Sequence, residues 1–275
     1  MKIARRIYTI LIFLLLYAPI LVLILFSFNS TSNTGKFTGF SLYWYKELFR
    51  SAATFTALKN TLILAVTSAL LATFIGTLAA VGLHRMRNKY VKGAISSITN
   101  IPMMNPDIVT GISMMLLFVF AGTLLGLQEK LSFWTLLIAH VTFNLPYVIL
   151  NVTPKLRQMD KNLPEAALDL GCTPMQSFFK VELPCIFSGI VTGFIMAFTL
   201  SLDDFVISYF CVGSDFQTLP ILIYSMTKKE VTPDIYALST LMIVAILILL
   251  VLSNLPRNHE EKQASRGKRE KGGTQ

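Results

Sequence analysis

Charge is scarce in this 275-residue chain: Asp, Glu, Lys and Arg make up 14% of it, with 15 acidic residues against 24 basic ones. Soluble domains carry about a quarter charged residues, so an ordinary water-facing surface is excluded. Cysteine is rare as well. Cys172, Cys185 and Cys211 lie far apart, without metal-ligand spacing or the even count of a disulfide framework, and read as free thiols in a packed bundle. There is no Gly-rich phosphate loop, no HExxH and no nucleophile constellation. Neither ATP hydrolysis nor bond-breaking catalysis is therefore expected of the chain itself, and no cofactor or metal is expected in it. The net charge of +9 does not point to nucleic acid, because Lys and Arg sit between apolar runs rather than on one folded face.

What the chain has in excess is apolar sequence, 53% hydrophobic with a mean hydropathy of +0.61. The runs fall near 7–28, 61–83, 94–120, 133–152, 186–207 and 235–252. Each is close to the roughly 20 residues that cross a hydrocarbon core of about 30 Å. The expectation is an all-α membrane protein with about six transmembrane helices in residues 1–253. Residues 254–275, with mixed charge and no apolar face, read as a disordered cytoplasmic tail. Lys2, Arg5 and Arg6 ahead of the first run resemble a signal peptide, but the run is too long for an h-region and no A-x-A site follows, so a retained helix is expected.

Orientation follows from the basic residues, which are retained on the cytoplasmic side. With the N-terminus inside, the cytoplasmic segments hold 17 of the 24 Lys and Arg, in the N-terminal stretch, around 85–92, around 155–180 and in the tail. Both termini are expected in the cytoplasm. The outer segments are aromatic-rich at 29–59, with Tyr43, Trp44 and Tyr45, and broken by Gly213 and Pro220 at 208–232. The first reads as an interfacial segment; the second, with Pro233 directly after its end, reads as a partly re-entrant cap.

The long cytoplasmic loop, 153–184, has readable local chemistry. Asp160 or Asn162 can cap a helix with Pro164 in its first turn and Glu165 at the positive end of its dipole. Gly171 is a natural left-handed terminator, and Thr173-Pro174-Met175-Gln176 offers a second N-cap. Two short helices should meet at Gly171, and Pro184 should end the second.

The loop reads Glu165-Ala166-Ala167, three residues, Gly171, nine residues, Val181, one residue, Leu183-Pro184. At these positions the chain resembles the inner-membrane permeases of ABC importers and their EAA loop. The likeness continues through Tyr17 to Ser30, Pro106 to Val109, Phe198 to Asp204, Leu219-Pro220 and Ile223 to Met226, and is most similar to the spermidine/putrescine type, C-component-like. The resemblance implies a type I importer (MetI-like) permease fold in a bacterial cytoplasmic membrane. It further implies a second related permease subunit, two ATPase subunits that hold the ATP and Mg, and an external polyamine-binding protein. The loop would be the coupling helix docking on the ATPase, with Ala166 and Ala167 allowing close approach, Leu168 and Leu170 filling an apolar socket, and Leu183-Pro184 closing the motif.

Carboxylates inside a span are expensive, about 2.5–3.5 kcal/mol on insertion scales, and mark substrate paths. Asp107, after Pro102 and Pro106, and Asp203 with Asp204, near the end of the fifth span, qualify. With Phe205, Tyr209 and Tyr224 as cation-π faces, they would suit an ammonium-bearing substrate. Asp107 is equally readable as an N-cap, and only one of Asp203 and Asp204 can face a pathway squarely. His84 and His140 read as structural. A permease of the same fold for another solute (ferric ion, phosphonate, amino acid) and a non-transporting membrane sensor are the competing readings.

Overall fold

A computed structural model describes residues 2–31, 36–160, 162–228 and 233–251; the expected tail, 254–275, lies outside the described residues. Hydrocarbon offers the backbone no partners, so a spanning segment must bond to itself as helix. Among the described residues six helical stretches are long and apolar enough to cross: Arg5–Phe26, Ala52–Arg85, Asp107–Leu124, Phe133–Gln158, Pro174–Asp203 and Pro233–Val251.

Two of the expected boundaries are corrected. The third run, expected at 94–120, is two helices, α4 (Lys89–Met104) and α5 (Asp107–Leu124). Pro106 lacks an N–H and forces the residue before it out of the helical region, and Asn105 is accordingly extended at φ −78°, ψ 145°. Pro102 stays inside α4. Pro184, expected to end a short helix, ends nothing. The chain runs from α8 (Pro174–Ser177) through a π-helical turn (Phe178–Glu182) into α9 (Leu183–Asp203). In that turn the Leu183 N–H reaches back five residues to the Phe178 carbonyl. The widened turn relieves the clash that a proline ring makes with the carbonyl four residues earlier.

The chain divides into two compact units. The first holds 1–59 and 218–247, with α1 (Lys2–Phe26), α2 (Tyr43–Arg50), the first turns of α3 (Ala52–Arg85), α11 (Leu219–Thr227) and most of α12 (Pro233–Val251). The buried Asn29 organises the segment after α1. Its side chain donates to the Lys36 carbonyl (3.0 Å) and accepts from the Thr38 N–H (2.9 Å), while its carbonyl accepts from Trp44 Nε1 (2.9 Å). Leu48, Ala57, Leu219, Leu222 and Leu238 form this unit's core. No residue of the α1 span window is buried.

The second unit holds 60–217 and, of the described residues beyond 247, 248–251, including the rest of α3, α4, α5, α6 (Phe133–Gln158), α7 (Asn162–Asp169), α8, α9 and α10 (Val206–Cys211). Helices in lipid gain little from apolar burial and must pack backbone to backbone. A Cβ added at Gly189 of α9 would lie 2.9 Å from the Asn151 carbonyl of α6, and one at Gly76 of α3 would lie 2.8 Å from Val148. Three buried polar side chains tie the same helices together. Ser68 and Ser201 hydroxyls are 2.9 Å apart, and Asn144 Nδ2 donates to Ser201 Oγ at 2.6 Å.

Candidate functional site: the loop between α6 and α9

The loop's shape comes from local bonds. Asp160 accepts the Asn162 N–H at 3.0 Å, and α7 then places Glu165 in its first turn, at the positive end of the helix dipole. α7 ends in a Schellman motif: the Cys172 N–H bonds the Ala167 carbonyl at 3.0 Å and the Gly171 N–H bonds the Leu168 carbonyl at 2.9 Å. That closure needs a left-handed residue, which Gly171 supplies with φ +85°. Thr173 and Gln176 form a reciprocal capping box at the start of α8. Ser177 Oγ donates to the Pro164 carbonyl at 3.2 Å and fastens α8 to α7.

One long-range contact anchors the assembly. Glu182, whose side chain is only 7% exposed, pairs with Arg85 at the end of α3. The Arg85 guanidinium also lies 5.9 Å from the centre of the Phe178 ring. A cavity of about 300 Å³ opens beside this pair, lined in part by His84, Glu165, Leu168 and Ser177. Neither Arg85 nor Glu182 was marked out by the sequence, because 97 residues separate them. The opposed charges become a pair only when α3 packs against the π turn.

The two alanines separate. Ala166 is exposed and Ala167 is buried against the protein, since neighbouring helix positions point about 100° apart. Only Ala166 is therefore available to a docking partner, which corrects the expectation that both are. Leu168 and Leu170 are exposed, as are Leu163, Met175 and Phe179. Leu183 packs on the core of the second unit, and Pro184 is exposed on the first turn of α9.

The intramembrane carboxylates take distinct roles. Asp203 ends α9 and is exposed. Asp204 turns back onto α10, accepting the Ile207 N–H at 3.3 Å and the Ser208 N–H at 2.7 Å. Its other near neighbour is the fully buried His140, whose Nε2 lies 3.5 Å from Asp204 Oδ2 and 3.1 Å from Ser208 Oγ. His140, which the sequence left without a role, thus fixes the break between α9 and α10. Phe205 and Tyr209 stand together there with ring centres 5.4 Å apart. Asp107 opens α5 without capping it, since Pro106 is the capping residue. It is exposed and electrostatically adjacent to Tyr147. α5 packs on α10 at Gly111, where an added Cβ would come within 3.1 Å of Phe210. Asp107, Asp203, Asp204, Phe205 and Tyr209 all belong to the second unit. Tyr224 is in the first, its ring covered by Lys228 with Nζ 4.7 Å from the ring centre.

Residues 72–257 match the family described as "Binding-protein-dependent transport system inner membrane component". The chain belongs to this family. It is 39% identical over 254 residues to the putrescine transport system permease protein PotI of Escherichia coli (strain K12), covering 92% of this chain and 90% of the relative. To the spermidine/putrescine transport system permease protein PotC of Haemophilus influenzae it is 40% identical over 251 residues, covering 91% and 95%. The fold matches a chain of a bacterial ABC transporter involved in alginate import (TM-score 0.74, 17% identity, 95% of each chain). It also matches one of the inward-facing MetNI methionine transporter (TM-score 0.59, 18% identity, 74% of this chain and 96% of the other). The MetI-like permease fold expected from the loop is therefore the fold of this multi-pass membrane chain.

Proposed function

We propose that the chain is the permease subunit of a binding-protein-dependent ABC importer for polyamines such as putrescine and spermidine. It would work with a second permease subunit, two ATPase subunits and an external binding protein. The observation that carries the reading is the 39–40% identity over some nine-tenths of the chain to permeases named for those substrates. Asp107, electrostatically adjacent to Tyr147, and Asp203 are both exposed in an otherwise acid-poor bundle and suit a cationic substrate. On this reading the α7–α8 loop and both termini face the cytoplasm, and ATP and Mg belong to the partner subunits.

The mechanism is alternating access. The exposed side of Leu163, Ala166 and Leu170 meets the ATPase, with Leu168 exposed at the neighbouring cavity. Because the capping bonds, the Ser177 contact and the Arg85–Glu182 pair make α7, α8 and the π turn one body, a push on that face is not absorbed locally. It passes into the continuous 30-residue helix from Pro174 to Asp203, about 45 Å long, whose far end is the acidic break. Tilting that helix would move Asp203 relative to α5.

Uptake of radiolabelled putrescine and spermidine tests this, in cells stripped of their own polyamine uptake and expressing the chain with its neighbouring ATPase, permease and binding-protein genes. Saturable, ATP-dependent accumulation is expected. Accumulation of neither amine, with the complex assembled in the membrane, would refute the substrate assignment.

A further inference from the structure

Helix α4 is amphipathic in an inverted sense. Val91, Ile95 and Ile98 form an exposed apolar stripe, while Lys92, Ser96, Thr99 and Asn100, one face by their spacing, turn toward the protein. They line a cavity of about 130 Å³ closed by His84 at the end of α3 and by Thr153 and Arg157 on the last turns of α6. A single water needs about 10–15 Å³ in this measure, so the space admits a group well beyond one water.

The lining has one electrostatic sign. It holds two permanent cations and an imidazole, with hydroxyl and amide donors between them, and no carboxylate. Neither Lys92 nor Arg157 lies within ion-pair distance of a carboxylate among the described residues. Lys92 Nζ donates to the His84 carbonyl at 3.4 Å, which engages one of the three ammonium hydrogens. Part of this charge complements the carbonyl ends of α3 and α6. That role does not explain why Ser96, Thr99 and Asn100 face the same space.

We infer that this cavity binds a phosphate-class anion, held between Lys92 and Arg157 with hydrogen bonds from Ser96 and Thr153. Its source is the headgroup of an anionic phospholipid in the leaflet that contacts the α3–α4 turn. Leu83, Ile149 and Leu150 share the lining, and the outward apolar stripe of α4 offers acyl chains a path beside the headgroup. Basic pockets between helices on the cytoplasmic side hold such lipids. The inference is independent of what the permease carries.

The test uses the full chain, purified and delipidated in detergent, titrated separately with phosphatidylglycerol, phosphatidylcholine and inorganic phosphate. Readouts are the thermal denaturation midpoint and native mass spectrometry of retained lipid. Phosphatidylglycerol is expected to raise the midpoint saturably and phosphatidylcholine to leave it in place. Arg157→Gln, at an exposed position that does not endanger the fold, should weaken the response about tenfold, the size of one lost charge-assisted contact. Lys92→Gln/Arg157→Gln should abolish it, and Lys92→Arg/Arg157→Lys should restore it. A charge-dependent response to inorganic phosphate alone would support the same anion site with a free anion as its source. Equal stabilisation by both lipids without a phosphate response, or a full phosphatidylglycerol response in the doubly neutral variant, overturns the proposal.

Discussion

Replacing Arg85 by Met leaves the Glu182 carboxylate buried without its cation. Breaking a fully buried pair costs about 3–5 kcal/mol, and breaking a fully exposed one about 0–1 kcal/mol. The Glu182 side chain is 7% exposed and that of Arg85 54%, so solvent screens one partner only. Arg85→Met is accordingly expected to cost about 2 kcal/mol, with about 0.5 kcal/mol more from the lost contact over Phe178. Glu182→Gln keeps the shape and an acceptor and frees a half-exposed cation, for about 1 kcal/mol. The double variant removes both charges and should cost about 1.5–2 kcal/mol, so the cycle closes with a coupling of about 1.5 kcal/mol. At about 2–4 °C per kcal/mol for a unit of this size, Arg85→Met should lower the denaturation midpoint of the detergent-solubilised chain by about 5–10 °C, and the double variant by clearly less than the sum of the singles. Simple addition of the two single shifts would show that the two side chains are neighbours without energetic coupling. In the assembled complex, both singles should also lower transport-stimulated ATP hydrolysis more than basal hydrolysis.

Three further outcomes follow from named contacts. Gly171→Ala forces a Cβ into the left-handed region at a cost of about 1–2 kcal/mol. It should loosen the α7–α8 joint and reduce stimulated ATPase turnover while membrane insertion, read by protease protection, is unchanged. Asp203→Asn and Asp204→Asn should separate: the first lowers polyamine uptake with an unchanged midpoint, because Asp203 is exposed. The second destabilises by about 1 kcal/mol, because an amide replaces one of the two oxygens that accept from α10 with a donor facing an N–H; the opposite assignment would remove Asp203 from the path. Gly189→Leu places side-chain atoms where the Asn151 carbonyl of α6 already sits. Loss of the folded chain on size-exclusion chromatography is expected, whereas Gly82→Leu, where nothing lies within 4 Å of an added Cβ, should be tolerated.

The helical breaks show where reading the chain succeeds and where it falls short. Pro102 and Pro106 both sit in the third run, yet only Pro106 interrupts it, by a restriction on the residue before it that acts whatever surrounds it. Pro184 carries the same local signal and yet lies in a continuous helix, because a π turn before it absorbs the clash. Choosing between a break and a bulge depends on whether both sides are held, and here Arg85 holds one side through Glu182. Asp203 and Asp204 are likewise identical by residue type. Only the packing of His140 and the free N–H groups of α10 turns one into a structural cap and leaves the other exposed.

From the sequence alone came the membrane-spanning helical class, the position of the loop and its bend at Gly171. These rest on hydrophobic length, backbone self-satisfaction in lipid and capping bonds that close within a few residues. The tertiary structure alone decided that Arg85 clamps the loop through Glu182, that Ala167 turns inward while Ala166 faces out, and that the polar face of α4 lines a basic cavity. Each of these depends on how one helix is rotated against another, and that rotation is set by contacts between residues far apart in the chain.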